Sequence, residues 1–588
     1  MFQVRVGLLL LVCLSIGCGR QPDKHSQAPA NTSANKGTGV RKGDAVTTCD
    51  TTTVPPPGSN FPKGFDYPQP VQNWVTPGMG GRARLHAWCL FAGLNQQDNP
   101  NAPLLWQTWK TSTQAFPYQY NPWWKTTVGG ALVQATQRPA PLNARNQANA
   151  TVGAGKINNP APNYPINTAV ANNPKYAACK QSMNNKDHPD WYQLQDGAHL
   201  ESNGDIMIAG VIYNDAAINN ILGRGLYNAV RLTGFLPPTP TSPPSAIPWF
   251  PSASIALKPM FWPVQKGGFT VLPVWDWDAN KPGSPSDGKY AGYEMQSMWR
   301  QAVAVTDLVN PTPPPLVKYL YGVWNNEGTA QIGPITYNNT TQISPRAFRV
   351  VSVNDFYHRQ LNAAELAQLD DCDRAILDAS AYWAYNRAFQ PGDYVVLIAM
   401  HIMTKEQQDW TFQSLWYQPD ADKNDPNCRY CQNRPTNVTD KTFQHYLLTT
   451  TYGTVQQGPD GHPNYYRPPN TLPNSQIWPV AYNPYIELAA SHPITTNCMN
   501  CHHRAAWPPF APDKQIEGRN SSYLPDSPPN PPNPNVLEVF PGNAQPLFNG
   551  LATLDSMWAV SDRGGYPELP RKKGSTPPGS TKKKPAAK

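Results

Sequence analysis

The chain has 588 residues with 66 prolines, 41 glycines and 19 tryptophans, and only 15% of its side chains are charged. This describes a large, loop-rich protein whose aromatic residues fill a core among irregular connections. The formal net charge of +8 argues little for nucleic acid, because Arg571, Lys572, Lys573, Lys582, Lys583, Lys584 and Lys588 all follow Pro570 and leave the body near neutral; no nucleic-acid partner is expected.

Met1–Val6 carries Arg5, Gly7–Ile16 is almost wholly apolar, and Ser15-Ile16-Gly17-Cys18 closes the segment with small residues ahead of a cysteine. This pattern is a secretory signal, too short to span a bilayer as a permanent helix. Cys18 is the expected lipid-accepting residue of a bacterial lipoprotein signal, with Ser15 where such signals usually place Leu. The expected address is therefore the periplasmic side of a bacterial envelope, as an outer-membrane lipoprotein, with membrane contact through the N-terminal lipid alone. Residues 19–60 lack apolar periodicity and read as a tether.

From 61 to 479 the pattern predicts an α+β body with an antiparallel sheet. Strands are expected at Asp205–Tyr213, Phe269–Trp275, Phe348–Val353, Tyr394–Met403 and Trp410–Tyr417. Helices are expected at Asp215–Leu222, with a stop at Gly223 or Gly225, at Tyr290–Val305 and at Asn362–Leu377. Trp275-Asp276-Trp277-Asp278 divides between core and solvent if it is extended. Asp370-Asp371-Cys372-Asp373 lacks the spaced oxygens that calcium needs and reads as a solvated helix face. Gly78-Met79-Gly80-Gly81 is followed by no Lys-Ser or Lys-Thr and is not a phosphate loop.

Residues 480–565 contain the most informative motif, Cys498-Met499-Asn500-Cys501-His502. Two thiols three positions apart, with a histidine directly behind the second, form the attachment signature of c-type haem. The spacing sets both sulfurs beneath the vinyl groups and brings His502 under the iron as proximal ligand. A four-thiol zinc site with Cys428 and Cys431 is the competing use of the same cysteines. Removing Cys13, Cys18, Cys498 and Cys501 from the ten cysteines leaves six, Cys49, Cys89, Cys179, Cys372, Cys428 and Cys431, an even number suited to disulfides of open connectivity.

A short helix is expected at Tyr485–Ser491 and helical spacing resumes at Leu551–Val560, so that 480–565 reads as a small, mainly helical haem module. The second ring nitrogen of His502 is expected to donate to a carbonyl, with Pro508, Pro509 and Pro512 as candidates. Met557 is the first candidate for the distal position and His401, inside an apolar strand, the second; His503 is expected to face solvent. Residues 566–588 read as a solvated basic tail.

The chain resembles a group of large exported bacterial proteins known only as cytochrome c family proteins. The likeness rests on His86-Ala87-Trp88-Cys89-Leu90-Phe91 with Leu94-Asn95, Trp106-Gln107-Thr108-Trp109, Gly225-Leu226-Tyr227-Asn228, Ile255-Ala256-Leu257-Lys258 before Trp262, Trp410-Thr411-Phe412-Gln413 and the haem motif itself. The resemblance implies one covalent haem c on Cys498 and Cys501, with His502 on iron, inside a body of unassigned role. The expected activity is one-electron transfer with a periplasmic or membrane redox partner. The alternatives are a haem enzyme of peroxidase or oxidase type and a binding or sensory protein in which haem is structural.

Overall fold

The computed structural model describes residues 80–97, 102–117, 166–182, 192–202, 207–275, 301–311, 349–406, 410–419, 430–451, 483–486, 505–508 and 549–565, together with short pieces that include Cys49 and His502. Helix α1 (Gly80–Leu94) comes first, and strands β1 (Lys110–Thr111), β2 (Glu201–Ser202), β3 (Ile208–Ala209) and β4 (Ile212–Tyr213) follow. The single strand expected over Asp205–Tyr213 is thus two short ones. The break lies opposite Pro259, whose carbonyl accepts from Gly210 N–H but which has no N–H of its own to give the ladder.

Helix α2 (Asp215–Arg224) begins at Asn214, whose side chain accepts from Ala217 N–H, and ends at Gly225 with φ of 67°, a left-handed stop that glycine reaches without strain. Next come α3 (Ala229–Thr233), β5 (Ser245–Ala246), β6 (Ile255–Val264), β7 (Thr270–Val274), β8 (Gln301–Thr306), β9 (Arg349–Ser352) and β10 (His358–Gln360). The helix expected over Tyr290–Val305 is corrected at its described end. Gln301–Thr306 is a strand, antiparallel to β7 and parallel to β9, and β-branched residues alternating with alanine suit a half-buried strand between two partners.

The long helix expected over Asn362–Leu377 is two, α4 (Ala363–Gln368) and α5 (Asp371–Tyr385). Asp370 starts α5 afresh by accepting from Cys372 and Asp373 N–H. Asp373 departs from the expected solvated face: it is fully buried and accepts from His199 N–H, Leu200 N–H and His199 Nδ1. Strands β11 (Tyr394–Thr404), β12 (Thr411–Tyr417) and β13 (Tyr446–Thr451) follow, and β14 (Ala506–Trp507), β15 (Ala552–Thr553) and α6 (Trp558–Arg563) complete the described chain.

The main sheet runs β1-β4-β6-β11-β12-β13, with β10 on β11 and β3 joining β2 to β6, and every pairing is antiparallel. This is the α+β architecture the sequence predicts. Neighbouring residues of the central strands serve different clusters: Leu257 and Ile402 pack with α1, while Ala256, Met403 and Phe412 pack with Trp507, Leu554 and Met557. Disulfides join Cys49 to Cys89 and Cys179 to Cys372, and Cys431 is disulfide-bonded too.

The described part of 480–565 is built into the body and does not stand apart as a helical module. β15 lies parallel to β5 and antiparallel to β14. Asn483 donates to Leu415 O, and Tyr485 Oη donates to Pro273 O within the first cluster. Val46–Lys588 accordingly group as one compact unit. Among the described residues no helix is long and apolar enough to cross a membrane.

Candidate functional site

On β11, His401 stands two residues before Met403 and so shares its face of the sheet. It is 8% exposed. Burial holds its imidazole well below the ordinary histidine range, assisted by the charges of Lys258 and His502, so the ring is neutral at pH 7. Phe412, on the adjacent strand and the same face, is fully buried. Its ring lies 4.8 Å from that of His502, with 51° between the planes.

His502 is carried by a short tertiary scaffold. Its carbonyl accepts from Ala505 N–H, and the Ala505 carbonyl in turn accepts from Leu554 N–H, which ties the motif to the β14–β15 pair. Its Nδ1 lies 2.8 Å from the carbonyl oxygen of Ser556. A carbonyl only accepts, so Nδ1 carries a proton, and in the neutral ring the lone pair is then on Nε2. That tautomer is the one an imidazole needs in order to ligate metal through Nε2, and the half-buried His502 therefore fits the proximal role its motif assigns.

The carbonyl that orients the ring belongs to Ser556, where the sequence points to Pro508, Pro509 or Pro512. Both Asp555 and Ser556 have left-handed backbones, with φ of 47° and 61°. Outside glycine such a conformation costs about 1–2 kcal/mol per residue, and two in succession persist only where the surroundings hold them. Asp555 supplies that hold. Its Oδ2 accepts from Phe250 N–H at 2.8 Å, and its Oδ1 meets Lys405 Nζ at 2.5 Å, with the two side chains 5% and 3% exposed. The Lys405 ammonium also lies over the rings of Trp249 and Trp410.

Met557 is 3% exposed, packs in the second cluster and donates its N–H to Leu554 O. It directly follows the residue whose carbonyl meets Nδ1, the ring nitrogen turned away from a metal on Nε2. Cys498, Cys501, His503 and Cys18 lie outside the described residues. The competing zinc site loses one ligand, since a disulfide-bonded Cys431 offers no thiolate. Among the described residues no group of three His, Cys, Asp or Glu forms a cluster able to hold a metal ion.

A second histidine lies in the other cluster. His86 of α1 is 1% exposed, and its Nε2 meets Glu406 Oε1 at 2.5 Å. Glu406 Oε2 accepts from Thr411 Oγ1, and Gln413 Nε2 donates to both Thr404 and Thr411 hydroxyls. Lys405, Asp555, Ser556, Phe412 and this His86–Glu406 pair are absent from the sequence reading of the site. The signals for the loop were Asp555, one of the residue types outside glycine that tolerate left-handed backbone most readily, and the adjacent charges Lys405-Glu406 at the end of an apolar strand.

No protein-family model, curated protein or solved structure matches this chain.

Proposed function

We propose that the protein is an exported c-type cytochrome that binds one covalent haem c and passes single electrons to or from a redox partner in the periplasm or at the outer membrane, anchored by lipid on Cys18. Cys498 and Cys501 hold the haem through thioethers and His502 ligates the iron. The bound haem supplies reversible one-electron redox chemistry. The observation that carries this reading is the hydrogen bond from His502 Nδ1 to Ser556 O, because it sets the tautomer and ring plane of a histidine already marked by the motif.

The chain's own residues then do three things. Ser556 fixes the imidazole and raises its basicity, Phe412 shields one side of it from water, and the strand pair β14–β15 ties it to the body. The test is to produce the protein with a working haem-attachment apparatus and record oxidised and reduced spectra of the pure material. A c-type spectrum that survives denaturation, and that is lost in Cys501→Ser, supports the reading; a colourless product overturns it. Low-spin iron marks a carrier, whereas high-spin iron that binds cyanide or reacts with peroxide marks the enzyme alternative.

A further inference from the structure

We propose that the buried ion pair between Lys405 and Asp555 is the positioning lock of the His502 imidazole, so that a lysine from the body strand sets the ligand strength of the histidine at the other end of the chain. This rests on the reading of His502 as an iron ligand.

Lys405 directly follows β11 and Asp555 follows β15, with 150 residues between them. Their 2.5 Å contact leaves the side chains 3% and 5% exposed, with the ammonium over the rings of Trp249 and Trp410. A buried ion pair contributes little to stability compared with a well-packed apolar pair of similar volume, and is best explained where it specifies one conformation. The conformation specified here is the left-handed pair Asp555–Ser556. Both carboxylate oxygens of Asp555 are used, Oδ1 by Lys405 and Oδ2 by the backbone N–H of Phe250, so the first residue of the pair is fixed to two separate parts of the body. The second residue then has one direction for its carbonyl, onto His502 Nδ1 at 2.8 Å.

Each link is local and tight: Lys405 to Asp555, Asp555 to Ser556 through the shared peptide, Ser556 to His502. Without the ammonium, Asp555 loses the contact that ties its Oδ1 to the body strand, and its turn relaxes toward ordinary φ. The Ser556 carbonyl then swings away, Nδ1 loses its acceptor, and the imidazole becomes a weaker donor. Lys405 and Asp555 act through Ser556 and touch no reacting atom; they are positioning residues.

The experiment uses the full chain in two forms. In the apo-protein, nitrogen-15 NMR of the histidine rings reads the His502 tautomer. Wild type is expected to show a single Nδ1–H species, Lys405→Arg to keep it, and Lys405→Met to lose it in favour of Nε2–H. Because Lys405→Met leaves a buried carboxylate and is liable to unfold, the charge-balanced double variant Lys405→Met with Asp555→Asn is measured beside it, with folding checked by circular dichroism. In the holo-protein, the midpoint potential of the folded double variant is expected to move upward from wild type, since a less basic imidazole stabilises the oxidised iron less, while Lys405→Arg restores the wild-type value. A folded double variant that retains both the Nδ1–H tautomer and the wild-type potential overturns the lock. If no haem is bound at all, the haem reading fails while the apo tautomer still decides the lock by itself.

Discussion

Lys405 and Glu406 are neighbours in the chain and serve two different histidines, one in each of the clusters formed around the main sheet. Glu406 meets His86 at Nε2 under α1, whereas Lys405 grips Asp555 and so orients the Ser556 carbonyl on His502 Nδ1. Both arrangements bury polar groups and both are hydrogen-bonded. They differ in which ring nitrogen is engaged and in the charge of its partner. The Glu406 carboxylate engages Nε2 of His86, and the neutral Ser556 carbonyl engages Nδ1 of His502. Burial alone therefore does not distinguish the two histidines; the ring nitrogen engaged and the charge of its partner do.

The strongest way to break this contrast is at His502. Replacing His502 by Ala is expected to abolish the wild-type low-spin spectrum of the matured protein, while His86→Ala leaves that spectrum in place; if the two variants give the same spectrum, the distinction fails. In stability the order reverses. His86→Ala removes the partner of Glu406 Oε1 at 2% exposure, and leaving a buried polar group without its partner costs about 1–3 kcal/mol, to be measured by denaturant titration against the smaller loss in His502→Ala.

Met557 sharpens the boundary between ligand and core. It directly follows Ser556, whose carbonyl meets His502 Nδ1, and packs with Trp507 and Leu554, so Met557→Ala is expected to cost about 2–5 kcal/mol through the cavity it leaves and to leave the absorption spectrum of the holo-protein unchanged. Loss of a methionine–iron band would return Met557 to the distal position.

The smallest effect comes from a third histidine, held by a carboxylate at the surface. His199 Nδ1 lies 2.9 Å from the buried Asp373, and this hydrogen bond, opposed by partial burial and helped by the charges of Asp373 and Asp370, raises its pKa above the ordinary histidine value. A raised value means the folded state binds the proton more tightly than the unfolded chain. The contribution is thus complete below the unfolded pKa and disappears as pH climbs through the folded one. The stability difference between wild type and His199→Asn should therefore be larger at about pH 5 than at about pH 8; a difference that grows toward alkaline pH would contradict the assignment. The side chain is half exposed, so the amplitude is modest.

Much of the sheet was legible from local pattern. β11 and β12 match the strands expected for them to within a residue, β11 because its run is rich in Val and Ile and β12 because it carries Phe, Trp and Tyr, residue types that favour strands. Three departures each have a physical cause: Pro259 interrupts the ladder beside β3 and β4, Asp370 caps a new helix inside an alanine-rich stretch, and Gln301–Thr306 is drawn into a strand by two partners distant in sequence. At the site, the Cys-x-x-Cys-His pattern is recognisable because it spans only five residues. The carbonyl that meets His502 was placed among the following prolines, since a local reading favours nearby groups, whereas the fold supplies it from 54 residues downstream. Lys405 could not be found at all without the fold, because nothing in Met403-Thr404-Lys405 refers to a residue 150 positions away.

The parallel pairing of Ser245–Ala246 with Ala552–Thr553 spans 308 residues at its Thr553–Ser245 hydrogen bond, which makes the seam a late event in assembly. Until it closes, Ile247, Phe250, Trp410 and Phe412 lack their cover and present a sticky apolar surface. A chain that stops short of residue 550 would stay in that state and attract proteases or aggregate. Among the described residues, the strand Ala552–Thr553 thus acts as a seal that covers this apolar surface once the seam has formed.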